Sequence, residues 1–318
     1  MVRSGRAAPG AARSSPHARR DLTPSRVLAV VGPTATGKSD WAIALSQRFG
    51  AEVLSADSRQ VYRGMDLGTG KVVGRRRADG ALMVEGIPHW LLDVVDPRET
   101  FTVAQYQRLC VEVMAQVRVP VLVGGTGLYL RAVLDGLSFP EAPVDLEVRG
   151  WGLAQLQERL RALDPIADVD WKNPRRLMRA IEIVQHTGRP LAEVRRIEPP
   201  PFEKLVIGID MPMDVLKERI HVRLLNRLET GMVEEVRGLM AAGVSADRME
   251  AFGLEYRYVS RFLLARLSYA DMVAQLELAI GQYARRQKTW FRKYGEVRWM
   301  RSLEEALAAA GGFLEVAP

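Results

Sequence analysis

One eight-residue stretch constrains this chain more than any other. Gly32-Pro33-Thr34-Ala35-Thr36-Gly37-Lys38-Ser39 fits the pattern G-x-x-x-x-G-K-[ST], and its flanks have the right character. Val27-Leu28-Ala29-Val30-Val31 before it is a continuous apolar run, as in a strand buried on both faces. Ser39 to Phe49 after it reads as a helix, with Trp41, Leu45 and Phe49 at i, i+4 and i+8 and Gly50 as its stop. A strand, a glycine-rich turn and a helix N-terminus together cradle an anion. The turn points successive N–H groups inward, and the helix end adds partial positive charge. Lys38 neutralises phosphate oxygens, and Ser39 is placed to ligate Mg²⁺.

Three further apolar runs read as strands: 51–56, 119–123 and 203–210. Strands alternating with helical segments imply an α/β fold, a P-loop-type parallel sheet core covered by helices. Between 139 and 201 the texture changes. That stretch opens with Pro140 and Pro143, closes with Pro199-Pro200-Pro201 and is helical inside. The expected organisation is a basic leader over 1–24, a core built from 25–138 and 202–318, and a small inserted helical domain over 139–201. The leader, with Arg3, Arg6, Arg13, Arg19 and Arg20 and no acid before Asp21, suits a disordered segment or a transit peptide. From Met213 onward the chain reads as nearly all helix, broken near Gly243 and Gly295.

Composition excludes several classes. A single cysteine, Cys110, rules out a disulfide framework and fits a reducing, cytoplasmic setting. The four scattered histidines offer no zinc-ligand spacing. No apolar run reaches the roughly 18 residues of a membrane span. A net charge of +7 suits a polyanionic partner or a solvated basic surface.

The phosphate cradle would ordinarily indicate an NTPase or a kinase. Such a protein needs an aspartate at the end of a later buried strand. Here Val119-Pro120-Val121-Leu122-Val123 ends in Gly124-Gly125-Thr126-Gly127. That neutral end suits either a second close approach of backbone to a ligand, with Thr126 as hydroxyl donor, or a plain strand-to-helix turn. A carboxylate does follow the second strand, at Asp57. Strand carboxyl ends line the ligand crevice of an open α/β sheet, so Asp57 is expected beside the cradle, as a catalytic group or as a helix N-cap. Lys71, farther on, is a second phosphate ligand or a surface lysine.

At this point the ordered motifs resemble those of the tRNA dimethylallyltransferases, also called tRNA isopentenyltransferases. The resemblance runs from Gly32–Ser39 through Asp57-Ser58-x-Gln60-x-Tyr62, Gly68-Thr69-x-Lys71, Gly86-Ile87-Pro88-His89 and Gly124-Gly125-Thr126-Gly127-Leu128-Tyr129. It continues with Asn173-Pro174-Arg175-Arg176, Arg219-Ile220-His221-Val222-Arg223 and Tyr283-Ala284-x-Arg286-Gln287-x-x-Trp290-Phe291-Arg292. It implies Mg²⁺-dependent binding of dimethylallyl diphosphate and transfer of its allyl group to N6 of the adenosine 3′-adjacent to the anticodon of tRNA. Asp57 is then the general base, with Lys38 and Thr126 as catalytic partners. Gly32, Pro33, Thr34, Ala35, Thr36, Gly37, Lys38, Ser39 and Arg223 hold the diphosphate. Contacts to the tRNA anticodon stem-loop fall to Asp57, Ser58, Arg59, Gln60, Thr126, Arg149, Arg175, Arg176, Arg179, Phe252, Gly253 and Arg286. We expect a monomer that binds no membrane.

The chain departs from the family's pattern in places. Ile280-Gly281 stands where Thr-Arg is usual, and Val72 replaces a proline. Gly253-Leu254-Glu255-Tyr256 replaces the commoner Gly-Tyr-Lys-Glu.

The chemistry explains why such residues are needed. The exocyclic amine of adenine is a poor nucleophile, because its lone pair is delocalised into the ring. A carboxylate that accepts its proton accelerates transfer by about 10²–10⁴-fold. Pyrophosphate leaves with several negative charges, which cations and N–H groups stabilise. For RNA, the helix after Asn173-Pro174 presents Leu177, Ile181 and Val184 as an apolar stripe, with Arg175, Arg179 and Glu182 on another face. Near the C-terminus, Arg285, Arg286, Lys288 and Arg292 interleave with Tyr283, Trp290, Phe291 and Tyr294, aromatics that either stack on bases or pack in the core. The competing functions are an adenylate isopentenyltransferase using free AMP, ADP or ATP, a small-molecule P-loop kinase, and a non-catalytic RNA-binding protein.

Overall fold

The computed structural model describes residues 24–315, so all but Pro24 of the basic leader lies outside the described residues. In chain order the elements are β1 (Arg26–Val31), α1 (Lys38–Phe49), β2 (Glu52–Ser55), β3 (Arg75–Arg76), β4 (Leu82–Val84), β5 (Ile87–Trp90), α2 (Val103–Met114), β6 (Pro120–Gly124) and α3 (Gly127–Leu134). Then come α4 (Leu146–Arg149), α5 (Leu153–Leu163), α6 (Pro174–Thr187), α7 (Leu191–Val194), β7 (Glu203–Ile209), α8 (Met213–Glu229) and α9 (Met232–Ala241). The chain continues with α10 (Ala246–Phe252), α11 (Leu254–Leu263), α12 (Tyr269–Tyr294), β8 (Val297–Met300) and α13 (Leu303–Glu315).

The strands form one sheet in the order β3-β4-β5-β2-β6-β1-β7-β8. From β5 to β8 all neighbours are parallel, whereas β3 and β4 add an antiparallel edge. The sheet is therefore mixed. The parallel part needs cover on both faces, and β1 shows it. Val27, Ala29 and Val31 enter one apolar cluster with residues of α2, α3 and α8 to α12, while Leu28 and Val30 enter the other beneath α1 and α13. This alternation is the period-2 geometry of a strand. Gly50 closes α1 in the left-handed region, as its place in the sequence predicts.

Two expectations need correction. The chain after Met213 is not all helix, since β8 pairs in parallel with β7 beyond Gly295. Its four residues, Val-Arg-Trp-Met, continue the basic and aromatic run and lack the length that marks a strand. Glu182 does not share an outward face with Arg175. It is buried, and its carboxylate receives Arg149 Nε at 2.9 Å, Arg179 Nη1 at 3.2 Å and the Asp145 N–H at 3.3 Å. Burial alone would raise this carboxyl's pKa, but those donors together hold it below the ordinary value.

Residues 139–201 contain α4 to α7 around their own apolar cluster of Val148, Leu156, Leu160, Leu177, Ile181, Val184 and Leu191. Asn173 caps α6 through its side chain, with Pro174 in the first turn. A short antiparallel pairing of the two connections, Leu137 opposite Ile197, joins this unit to the sheet.

Candidate active site

The P-loop is curled largely by its own hydrogen bonds. Thr36 Oγ1 and Lys38 Nζ both donate to the Pro33 carbonyl, at 2.9 and 2.7 Å. Gly37 takes a positive φ of 90° and opens α1. The first N–H groups of that helix have no intrahelical acceptor, as in any first turn, and they face a cavity of about 790 Å³. Thr34 donates its N–H to Gln287 Oε1 at 2.9 Å, and Gln287 Nε2 donates to the Gly125 carbonyl at 2.9 Å. Gln287 is buried on α12. One side chain thus ties the P-loop to the end of β6.

Asp57 follows β2 and lines the same cavity. Its Oδ1 accepts the N–H groups of Arg59 at 2.8 Å and Gln60 at 3.4 Å. That is a turn-capping role, and it leaves Oδ2 with no hydrogen-bond partner among the described residues. No helix directly follows Asp57, so the expected helix N-cap is instead the cap of a turn, made through one oxygen only. Thr126 Oγ1 accepts the Ser58 N–H at 3.1 Å and reaches Ser58 Oγ at 3.4 Å. It braces the Asp57 turn from behind and does not line the cavity.

A Cβ at Gly124 would overlap the Ala56 carbonyl, one at Gly125 the Gln287 amide, and one at Gly127 the Trp290 indole. Protein groups crowd these positions, which form the strand-to-helix turn from β6 to α3, and Gly124 and Gly125 also line the cavity. Lys71 lines the cavity and is no surface lysine. It is buried and donates to the Tyr62 carbonyl at 3.0 Å and to the carboxylates of Asp66 and Asp93.

The cavity gathers Thr34, Ala35, Gly37, Lys38, Ser39, Asp57, Ser58, Arg59, Gln60, Arg223, Phe252, Gly253 and Arg286. Gly32, Pro33 and Thr36 frame the loop without lining it. Arg149, Arg175, Arg176 and Arg179 lie away from it, on the helical unit. There Arg175 and Arg176 are exposed, while Arg149 and Arg179 are engaged by Glu182. Of the C-terminal aromatics, Phe291 is core, and Trp290 stacks on Tyr294. Tyr283 lines the cavity, as does Ile280.

Electrostatics concentrate here. Burial, then the Arg223 guanidinium, lowers the Lys38 amine to about 8 against the pull of Asp57. Burial, then Arg227, lowers Arg223 to about 10. Burial pushes Tyr283 up to about 12 and raises the Glu255 carboxyl. Arg219 donates to the Thr36 carbonyl at 3.4 Å. Glu235 on α9 accepts the N–H groups of Asp66, Leu67 and Gly68 and the Tyr256 hydroxyl. It fixes the loop whose glycines form one cavity wall.

The sequence alone gives no role to Arg219, Arg227, Glu235, Glu255 or Gln287. The four-residue spacing of Arg219, Arg223 and Arg227 was a readable signal, since it places all three on one helix face. Nothing local to Glu235 marks it, because its partners lie far off in sequence.

Comparison with known proteins agrees with this geometry. The IPP transferase family model matches residues 60–294, and the isopentenyl transferase model matches residues 25–77. The tRNA dimethylallyltransferase 1 of Syntrophus aciditrophicus is 44% identical over 278 residues, covering 84% of this chain and 89% of that protein. The crystal structure of the tRNA isopentenylpyrophosphate transferase of Bacillus halodurans superposes with a TM-score of 0.68 at 32% identity, covering 92% of this chain and 96% of that one. A eukaryotic dimethylallyltransferase acting on tRNA shares the fold, with a TM-score of 0.78 at 22% identity over 92% of this chain and 80% of its own. A P-loop and Asp57 lining one cavity, together with these matches over most of the chain, place the protein in the tRNA dimethylallyltransferase (IPP transferase) family.

Proposed function

We propose that this enzyme transfers a dimethylallyl group from dimethylallyl diphosphate to N6 of the adenosine 3′-adjacent to the anticodon in tRNA, acting as a cytoplasmic monomer. One observation carries the reading: Asp57, whose Oδ2 has no hydrogen-bond partner among the described residues, lines one cavity with Lys38 of the P-loop and Arg223 of α8. In the step, the bond from the allyl carbon to the diphosphate oxygen breaks and the bond from that carbon to N6 forms. The N6 proton passes to Asp57. Lys38, Arg223 and the first N–H groups of α1 stabilise the departing diphosphate.

Mg²⁺ suits the donor set. The Ser39 hydroxyl and carboxylate oxygens are hard ligands, and no group of three His, Cys, Asp or Glu forms a protein cage among the described residues. Ser39 would hold such an ion together with oxygens of the substrate phosphates. When bound, the ion would add positive charge on the leaving group.

The target base must leave its stack to reach Asp57, at a cost of about a few kcal/mol. We assign tRNA gripping to residues 139–201 through Arg149, Arg175, Arg176 and Arg179, and to the cavity mouth through Ser58, Arg59, Gln60, Phe252, Gly253 and Arg286, with Thr126 acting indirectly by holding Ser58. The core is 25–138 with 202–318. The test is incubation with labelled dimethylallyl diphosphate and either unmodified tRNA or AMP. Label should enter tRNA and not AMP. Label in AMP alone would establish the adenylate transferase instead, and γ-phosphate transfer from ATP with no prenylation would establish a kinase.

A further inference from the structure

Arg219, Arg223 and Arg227 climb one face of α8, about 6 Å apart per step. Arg219 supports the P-loop, and Arg223 lines the cavity. Arg227 stands one rank behind. Gly70 forms the wall between it and the cavity, with φ of 63°. A Cβ added there would overlap Nη2 of both Arg223 and Arg227, so the two guanidinium groups crowd one methyl-sized volume. Arg227 Nη1 reaches the Gly68 carbonyl and the Glu255 carboxylate, each at 3.5 Å. Its Nη2 is buried without a hydrogen-bond partner among the described residues.

Nothing in packing requires such an arrangement. Like charges this close repel, and a buried donor without an acceptor is costly. Along the cavity lining Lys38, Arg59, Arg219, Arg223 and Arg286 outnumber the carboxylates of Asp40, Asp57 and Glu255, and behind that lining Arg227 has Glu235 as a further carboxylate neighbour. A polyanion in the cavity relieves that excess.

We propose that Arg227 is a positioning residue for the diphosphate: its charge behind Gly70 directs Arg223 into the cavity and raises the positive potential there, and Glu255 opposes it. The proposal rests on the diphosphate reading above. It gives the two residues opposite effects on anion affinity, which a shared packing role does not.

The experiment is calorimetric titration of the full chain with inorganic pyrophosphate and Mg²⁺, with thermal melts of each variant. Arg227→Met should bind about tenfold more weakly, the size of one removed charge a few ångström behind the contact. Arg227→Lys should recover most of that loss. Glu255→Gln should bind severalfold more tightly than wild type. Equal affinity of Arg227→Met and wild type would overturn the proposal, as would weakened binding by Glu255→Gln. If Arg227→Met does not fold, the sign of the Glu255→Gln effect decides alone. Failure of the wild-type chain to bind pyrophosphate would instead remove the diphosphate reading itself.

Discussion

Asp57→Asn separates the two tasks of this side chain. In the folded protein Oδ1 accepts from Arg59 at 2.8 Å and from Gln60 at 3.4 Å, and Oδ2 is free. Asparagine has the same shape and keeps one oxygen to accept those N–H groups, so the turn should persist at a cost below about 1 kcal/mol. What disappears is proton acceptance. General-base catalysis is worth about 10²–10⁴-fold, or about 3–5 kcal/mol on the barrier. Single-turnover transfer of labelled dimethylallyl to tRNA should slow by that factor, while tRNA affinity and melting temperature stay near wild type. Affinity for dimethylallyl diphosphate should not weaken, because a negative charge facing the leaving group has been removed. Asp57→Ala should show the same chemical loss plus a lower melting temperature, because two turn N–H groups lose their acceptor. Transfer by Asp57→Asn within about threefold of wild type would refute the base assignment and leave Asp57 as a cap only.

Three other outcomes follow from the same geometry. Lys38 is lowered to about 8 and holds a phosphate only when protonated, so kcat/KM for dimethylallyl diphosphate should be level below pH 8 and fall as pH rises through it; a profile level to pH 9.5 would contradict the burial argument. Gln287→Leu strands a P-loop N–H and the Gly125 carbonyl, so unfolding free energy should drop by about 2–4 kcal/mol, measured by urea titration, and KM for the diphosphate should rise. Arg175→Ala should lower tRNA affinity and flatten its log–log salt slope by about 0.7–0.9, leaving the melting temperature unchanged, whereas Arg149→Ala should also lower that temperature because Glu182 keeps a buried charge with fewer partners.

Legibility in the sequence followed how local the physics was. The strand, cradle and helix around Gly32–Ser39 depend on neighbouring residues, and their boundaries read correctly to within one residue. The capped α6 and its stripe of Leu177, Ile181 and Val184 were equally local. The hairpin of β3 to β5 was not, because its two- to four-residue strands carry too little pattern. Glu182 misled for a related reason. Helical spacing put it beside the arginines, and only tertiary contact with Arg149 of another helix makes its burial tolerable. For Lys71 and the Gly124–Gly127 turn the sequence leaves a ligand role and a plain structural one both open, because their protein partners, Asp93, Ala56, Gln287 and Trp290, are distant in sequence.

The order of the strands explains why a P-loop without a carboxylate on β6 suits this chemistry. β1 leads into the cradle, β6 lies beside it and β2 beside β6. Neighbouring strands are about 4.8 Å apart, so an aspartate ending β6 would stand roughly 5 Å from the cradle, within reach of a metal on the phosphates. Asp57 ends β2, roughly 10 Å away on the same scale. A base for allyl transfer needs that longer distance. Between the leaving oxygen and the carboxylate lie the allyl carbon, the amine nitrogen and one hydrogen bond, roughly 8 Å in line when reacting atoms stand about 3 Å apart. The β6 end is closed to a side chain in any case, since Gly124 meets Ala56 and Gly125 meets Gln287. With the near position closed and the far one left to Asp57, the proposed base would stand clear of a loop that would hold the leaving group.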